Sequence, residues 1–172
     1  MMKQKILLMM MLVMGYGLTS KGANVNWTNA SGGSWSVGAN WSNGSGPGAG
    51  DTAVITLAGT YTVTVDMNIT CQKMLIGGAS GLQTFSVANY YTIAMSKGMQ
   101  VNARGVLDLQ YATINCNQPI VNANRIKLRY NNVINAPVNN SDTLEVAHST
   151  NTISQNYTSP VGSVLYFHHL II

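Results

Sequence analysis

Past residue 24 the chain never sustains the three-to-four-residue apolar spacing of a helix; what recurs is alternation with a period of two. Tyr61, Val63 and Val65 alternate with Thr62, Thr64 and Asp66. Leu107, Leu109 and Tyr111 alternate with Asp108 and Gln110, and Ile126, Leu128 and Tyr130 with Arg125, Lys127 and Arg129. Leu144 and Val146 repeat the pattern, and short apolar runs at 53–57, 74–76, 85–87 and 164–167 fill the gaps. Between these segments lie turn formers: Gly77-Gly78-Ala79-Ser80-Gly81, Ser96-Lys97-Gly98, Asn131-Asn132 and Asn139-Asn140-Ser141. Successive side chains of a strand point to opposite faces, so each segment reads as a short half-buried strand closed by a turn, and the fold class as all-β.

Short strands at this spacing suit either a β-sandwich or a β-solenoid. Two features favour the solenoid. Asn is frequent at or near strand ends, where stacked side chains can bond from one coil to the next. The strands also follow one another too closely for long Greek-key crossings.

The first 23 residues differ from the rest. Lys3 and Lys5 precede an apolar run from Ile6 to Leu18, and Thr19-Ser20-Lys21-Gly22-Ala23 supplies small residues where a peptidase would cut. That order predicts a secretory signal peptide over residues 1–23, because a run of about thirteen apolar residues is too short for a stable anchor. Cleavage after Gly22 puts Ser20 at the −3 position; cleavage after Ala23 would put Lys21 there, which is unfavourable. The protein is therefore expected to be secreted, either extracellular or at the cell surface of a bacterium, with no membrane span in the mature chain.

The signal also explains most of the charge. The chain's formal +4 includes Lys3, Lys5 and Lys21, and the rest is nearly neutral. Nucleic-acid binding needs clustered Lys and Arg, so no nucleic-acid partner is expected. Arg125, Lys127 and Arg129 come closest, and their alternation reads as the solvated face of a strand. Cys71 and Cys116 are too few for a disulfide framework; they are either bridged or simply small buried residues in strands.

The most specific stretch is Asn26-Trp27, Gly32-Gly33-Ser34-Trp35 and Asn40-Trp41, followed by Gly46-Pro47-Gly48-Ala49-Gly50-Asp51-Thr52-Ala53-Val54-Ile55. It resembles the opening of bacterial autotransporter-like and adhesin-like surface proteins built on a right-handed parallel β-helix. In those proteins a Trp, a Gly-x-Trp, an Asn-Trp and a Pro-containing loop lead into the first coils. The resemblance is specific over residues 26–78. It implies a Trp/Gly-rich cap at 24–52 and β-helix coils at 53–172. Large rings suit a cap, which must cover the apolar cross-section of the first coil. The chain stops at Phe167-His168-His169-Leu170-Ile171-Ile172 without a turn, which predicts truncated coils and an open end prone to self-association.

A search for chemistry returns little. Polysaccharide-active sites need carboxylates grouped with each other or with Arg or Lys. Asp51 reads as a turn cap, Asp66 as a strand end, Asp108 as the partner of Arg104, and Asp142 and Glu145 as isolated. His148, His168 and His169 match no ligand spacing, so no catalytic residue, cofactor or metal is expected. Asp51-Thr52-Ala53 and Asp142-Thr143-Leu144 resemble acceptor triplets for O-linked glycans in some gut-type bacteria. The expected role is structural or adhesive, with host or matrix glycans or surface proteins as partners. The alternatives are a carbohydrate-binding module that stacks sugars on Trp27, Trp35 and Trp41, and a degenerate polysaccharide-active enzyme fragment.

Overall fold

The computed structural model describes residues 22–148 and 150–168. The assigned signal peptide thus lies outside the described residues except for Gly22 and Ala23, and so do His169 and the side chain of His168.

Strands appear where the alternation places them. The chain opens with β1 (Asn24–Asn26) and β2 (Gly33–Ser34), then repeats a three-strand beat. The first turn is β3 (Thr52–Ile55), β4 (Tyr61–Val65) and β5 (Ile69–Cys71), and the second is β6 (Lys73–Ile76), β7 (Gln83–Val87) and β8 (Thr92–Met95). The third is β9 (Met99–Val101), β10 (Gly105–Leu109) and β11 (Thr113–Cys116), and the fourth β12 (Ile120–Asn122), β13 (Arg125–Leu128) and β14 (Val133–Asn135). The fifth is β15 (Val138–Asn140), β16 (Thr143–Ala147) and β17 (Thr152–Ile153), after which come β18 (Tyr157–Thr158) and β19 (Val164–His168).

Each strand pairs with its counterpart one turn earlier and one turn later, always in parallel. Three sheets result: β1-β3-β6-β9-β12-β15-β18, β2-β4-β7-β10-β13-β16-β19 and β5-β8-β11-β14-β17, hereafter sheets I, II and III. The molecule is a parallel β-solenoid of about 5 turns. A sandwich would require antiparallel neighbours, and every strand pair is parallel.

The core is a set of side-chain rows running along the solenoid. On sheet III, Ile69, Ile93, Ile114, Ile134 and Ile153 stand in register on five successive turns. On sheet II the rows are Val63-Phe85-Leu107-Ile126-Leu144-Leu165 and Val65-Val87-Leu109-Leu128-Val146-Phe167. Branched side chains dominate because each must pack against its own kind one rung away, and stiff rotamers do so with little entropy loss.

Asparagine stacks as its frequency predicts, and partly inside the core. Asn122 and Asn140 are fully buried at inward positions of sheet I, where earlier turns carry Ile76 and Val101. The Asn122 amide donates to Asn140 Oδ1 at 2.6 Å and to the Thr143 carbonyl at 2.9 Å. Asn140 donates in turn to the Asp142 carbonyl at 2.9 Å. Outside, Asn135 donates to Asn115 Oδ1 at 2.9 Å.

Cys71 and Cys116 are free and buried. Both align with Met95, one on each side, so they lie two rungs apart. Two interstrand spacings, roughly 9–10 Å, exceed the Cα separation a disulfide spans. They are packing residues, and burial pushes the Cys71 thiol up to about 12.

Glycine is obligatory where turns touch. Gly77 has a φ of +102°, and a Cβ there would lie 2.4 Å from the Gly105 nitrogen. Only a residue without a side chain permits both that conformation and that approach.

Candidate functional site

The tryptophans, first candidates for a sugar platform, are not available to a ligand. Trp27, Trp35 and Trp41 are 2%, 5% and 2% exposed. The Trp41 ring meets Trp27 edge-on at 5.0 Å and Trp35 at 4.6 Å; Trp35 in turn meets Phe85 at 5.7 Å. The Trp27 indole N–H donates to the Asn29 carbonyl at 2.6 Å and that of Trp41 to the Trp35 carbonyl at 2.9 Å. Asn29 and Asn40 cross-link the flap behind them at 2.9 Å. Ring area and polar edges are both used inside, so these residues cover the first turn and the exposed-platform reading is corrected.

An aromatic surface exists elsewhere, at the corner between sheets II and III. Tyr90, Tyr111, Tyr130 and His148 occupy that corner on four successive turns. Their ring centroids follow at 5.1 Å, 5.7 Å and 3.9 Å, and the last two pairs are stacked. Tyr90 is 74% exposed and Tyr130 38%. The alternation Leu107-Leu109-Tyr111 and Ile126-Leu128-Tyr130 suggests inward tyrosines. Strands β10 and β13 end at Leu109 and Leu128, however, and the corner carries the next rings outward.

The corner is built from unusual backbone. Tyr90, Tyr111 and His148 have φ of +64°, +53° and +77°, as do their neighbours Asn89 at +59° and Asn131 at +46°. Buried Asn132 shapes the turn from inside: its side chain accepts the Ala112 N–H at 2.9 Å and donates to Leu109 at 3.1 Å and Asn151 at 2.7 Å. A left-handed conformation costs a non-glycine residue about 1–3 kcal/mol. Each ring contact returns about 0.5–1.5 kcal/mol. The ladder therefore adds little net stability, and its exposure is a surface property rather than a packing requirement. Its sequence signal is aromatic recurrence once per turn, which is invisible until the register is known.

Beside the ladder, the outward face of sheet II carries charge. Arg125 and Lys127 point outward from β13 while Ile126 and Leu128 are buried, as the alternation predicts. Asp108, Lys127, Glu145 and Tyr166 stand in one row across four turns. Arg129 grips Asp108 with two hydrogen bonds, Nε to Oδ1 at 2.7 Å and Nη2 to Oδ2 at 2.8 Å. The partner of Asp108 is thus Arg129, one turn on, and not Arg104. The Asp108 hydrogen bond also holds the Arg129 guanidinium above its ordinary pKa.

The other acids sit apart from this face. Asp51 belongs to the cap, Asp66 follows β4 and accepts hydrogen bonds from Ser36 of the cap, and Asp142 lies in the turn before β16. Asp108 and Glu145, the latter read from the sequence as isolated, share a face with three cations between and beside them. A shallow depression lined by Arg125, Thr143, Glu145 and Tyr166 marks it. Among the described residues no three His, Cys, Asp or Glu side chains form a group suited to a metal ion. Of the two threonines in glycan-acceptor-like triplets, Thr143 is largely buried and its hydroxyl donates to Asp142 Oδ1 at 2.9 Å.

No known protein family, curated protein or solved structure matches the chain. Among the described residues no helix is long and apolar enough to cross a membrane.

Proposed function

We propose that the protein is a secreted or cell-surface β-helix segment of the autotransporter-like or adhesin-like kind, with a structural or adhesive role and no catalysis. The observation that carries this reading is the solvent-facing ladder of Tyr90, Tyr111, Tyr130 and His148 on a charge-poor, hydrogen-bonded scaffold. A rigid solenoid repeats one surface position at every turn, so a corner of aromatic rings becomes an extended contact strip. Large exposed aromatic area is what binding surfaces present.

Carbohydrate binding is the second reading, relocated from the tryptophans to the ladder. The outer face of Tyr90 is free for the C–H face of a sugar, and Arg125, Lys127 and Glu145 on the adjoining face supply hydroxyl partners. A degenerate polysaccharide-active enzyme ranks third. Its carboxylates would be Asp108 and Glu145, but Asp108 is already held by Arg129 on an open face rather than in a cleft.

The test is binding of the purified chain to immobilised neutral and acidic polysaccharides and to matrix proteins. A Tyr90→Ala/Tyr111→Ala variant should lose binding while its circular dichroism stays unchanged. Binding that survives this change would sink the ladder as the contact strip. Release of new reducing ends, abolished by Asp108→Asn, would overturn the non-catalytic reading.

A further inference from the structure

The cap holds one acid whose geometry goes beyond turn capping. Asp51 Oδ1 accepts the Ala23 N–H at 2.8 Å, and Oδ2 accepts the Gly48 N–H at 2.9 Å. The backbone around Asp51 is pinned as well: its N–H donates to the Gly48 carbonyl at 2.9 Å and its carbonyl accepts the Gln72 N–H at 2.7 Å. Ala23 is gripped from its other side too, because its carbonyl accepts the Thr52 N–H at 2.8 Å. The pairing of Asn24 with Thr52 begins at the next residue. Among the described residues Ala23 is thus the first tied into sheet I, and its nitrogen faces a fixed carboxylate.

Gly22 behaves differently. A Cβ on it would lie 1.5 Å from the Gly50 carbonyl oxygen, so it presses directly on the loop that presents Asp51. Among the described residues, Ala23 is the first with hydrogen bonds into sheet I, and Gly22, the residue before it, lies packed on the Gly50 loop.

We infer that the chain is processed at Gly22–Ala23, and that Asp51 is the receptor for the new α-ammonium group of Ala23. The inference rests on the export reading and makes it specific. Hydrolysis consumes one water: the C–N bond breaks, the hydroxyl goes to the Gly22 carbonyl carbon, and the hydrogen to the Ala23 nitrogen. At neutral pH the freed amine binds a further proton. The catalyst is an endopeptidase that accepts small residues at −1 and −3, here Gly22 and Ser20. Because folding lays Gly22 against Gly50, cleavage precedes docking of β1 on β3.

The exchange strengthens a contact already in place. A neutral amide N–H offers one donor to Asp51 Oδ1; an ammonium at the same position offers a full positive charge, and charge-assisted bonds are roughly twice as strong as neutral ones. Cleavage after Ala23 would do the opposite, leaving the Thr52 N–H and Asp51 Oδ1 without the partners they have here. Of the two cuts the sequence allows, the structure favours the first.

The experiment expresses the full chain in an exporting bacterial host and reads the purified protein by intact mass and N-terminal sequencing. An N-terminus at Ala23 is the expected result. An unprocessed chain would overturn the export reading itself; a mature chain starting anywhere else would overturn this inference and leave export standing. Amine titration by reagent labelling then tests the receptor. Free α-amines titrate near about 7.7–8.0, and each unit of upward shift slows labelling at pH 7 about tenfold. Slow labelling in the wild type, restored in Asp51→Asn, is expected. Labelling at the rate of a free peptide amine in the wild type would remove Asp51 as the receptor, whether or not the variant folds.

Discussion

Sheet II ends in two different ways. Near the amino terminus its inward residues Val63 and Val65 are buried, because Trp27, Trp35 and Trp41 lie across them, with the indole N–H groups of Trp27 and Trp41 satisfied. At the other end of the described residues the same two rows finish in Leu165 and Phe167, which are 45% and 58% exposed. Leu128, Leu144, Val146 and Ile153 line the open apolar depression beneath them. The residues are equally apolar and point equally inward. Burial in a solenoid thus depends on having a covering layer on both sides and not on alternation alone.

The comparison breaks most sharply by deleting one ring at each end. Trp41→Ala removes the residue that touches both other tryptophans, and such core truncations cost about 3–5 kcal/mol. Phe167→Ala removes an exposed ring and is expected to cost under about 1 kcal/mol. Chemical denaturation should show a large drop in midpoint for the first and almost none for the second. Similar losses at both ends would mean that the far end is covered in solution.

A smaller effect separates the buried Asn pair from the exposed one. Asn122→Ala strands the Asn140 side-chain oxygen and the Thr143 carbonyl in the core, and a buried unsatisfied group costs about 1–3 kcal/mol. Asn135→Ala breaks an Asn–Asn bond of 2.9 Å in solvent, where water replaces the partner; its expected cost is within about 0.5 kcal/mol. Equal costs would show that the Asn122 site admits water.

These features were unequally legible in the sequence. Alternation at Tyr61–Val65 and Arg125–Leu128 identified strands, and the Gly-x-Trp and Asn-Trp spacing identified a cap, because both signals are local. The tyrosine ladder was not legible: Tyr111 and Tyr130 continue an inward alternation until the strand ends, and only the interturn register stacks them. The Arg129–Asp108 pair was missed for the same reason, since Arg104 is nearer in sequence while Arg129 is nearer in space. In a solenoid, neighbours lie one turn apart, and turn length varies along this chain.

Acid should loosen the cap before the rest. Backbone donation from Gly48 and then Ala23 holds the Asp51 carboxyl below its ordinary value of 3.8. At Asp66 burial works in the opposite direction, but the Ser36 hydroxyl and backbone N–H, at 2.6 Å and 3.0 Å, outweigh it and the value is again lowered. A lowered folded-state pKa means that the unfolded chain binds the proton more readily. The stabilisation is therefore fully present above the ordinary carboxylate range and is lost as pH falls through the folded values, below 3.8. Tryptophan fluorescence should report this acid transition, and Asp66→Asn should flatten it. An unchanged profile in that variant would assign the transition to other acids.

The smallest expected effect on stability tests the open end directly. Leu165→Ser/Phe167→Ser replaces two side chains that already contact water, so the denaturation midpoint should barely move. Association should respond far more. Strand β19 is the last of its sheet among the described residues, and it presents apolar side chains at that edge, the arrangement that templates pairing between chains. The tryptophan flap covers the opposite end, so a head-to-tail filament has only one receptive face per molecule. Contact between two open ends is self-complementary and closes as a dimer. Sedimentation of the purified chain should therefore show a concentration-dependent dimer rather than a fibre, and the double serine variant should remain monomeric. Larger open-ended species in the wild type would mean that the tryptophan end also receives a partner, and the contrast between the two ends would then fail where it is now clearest.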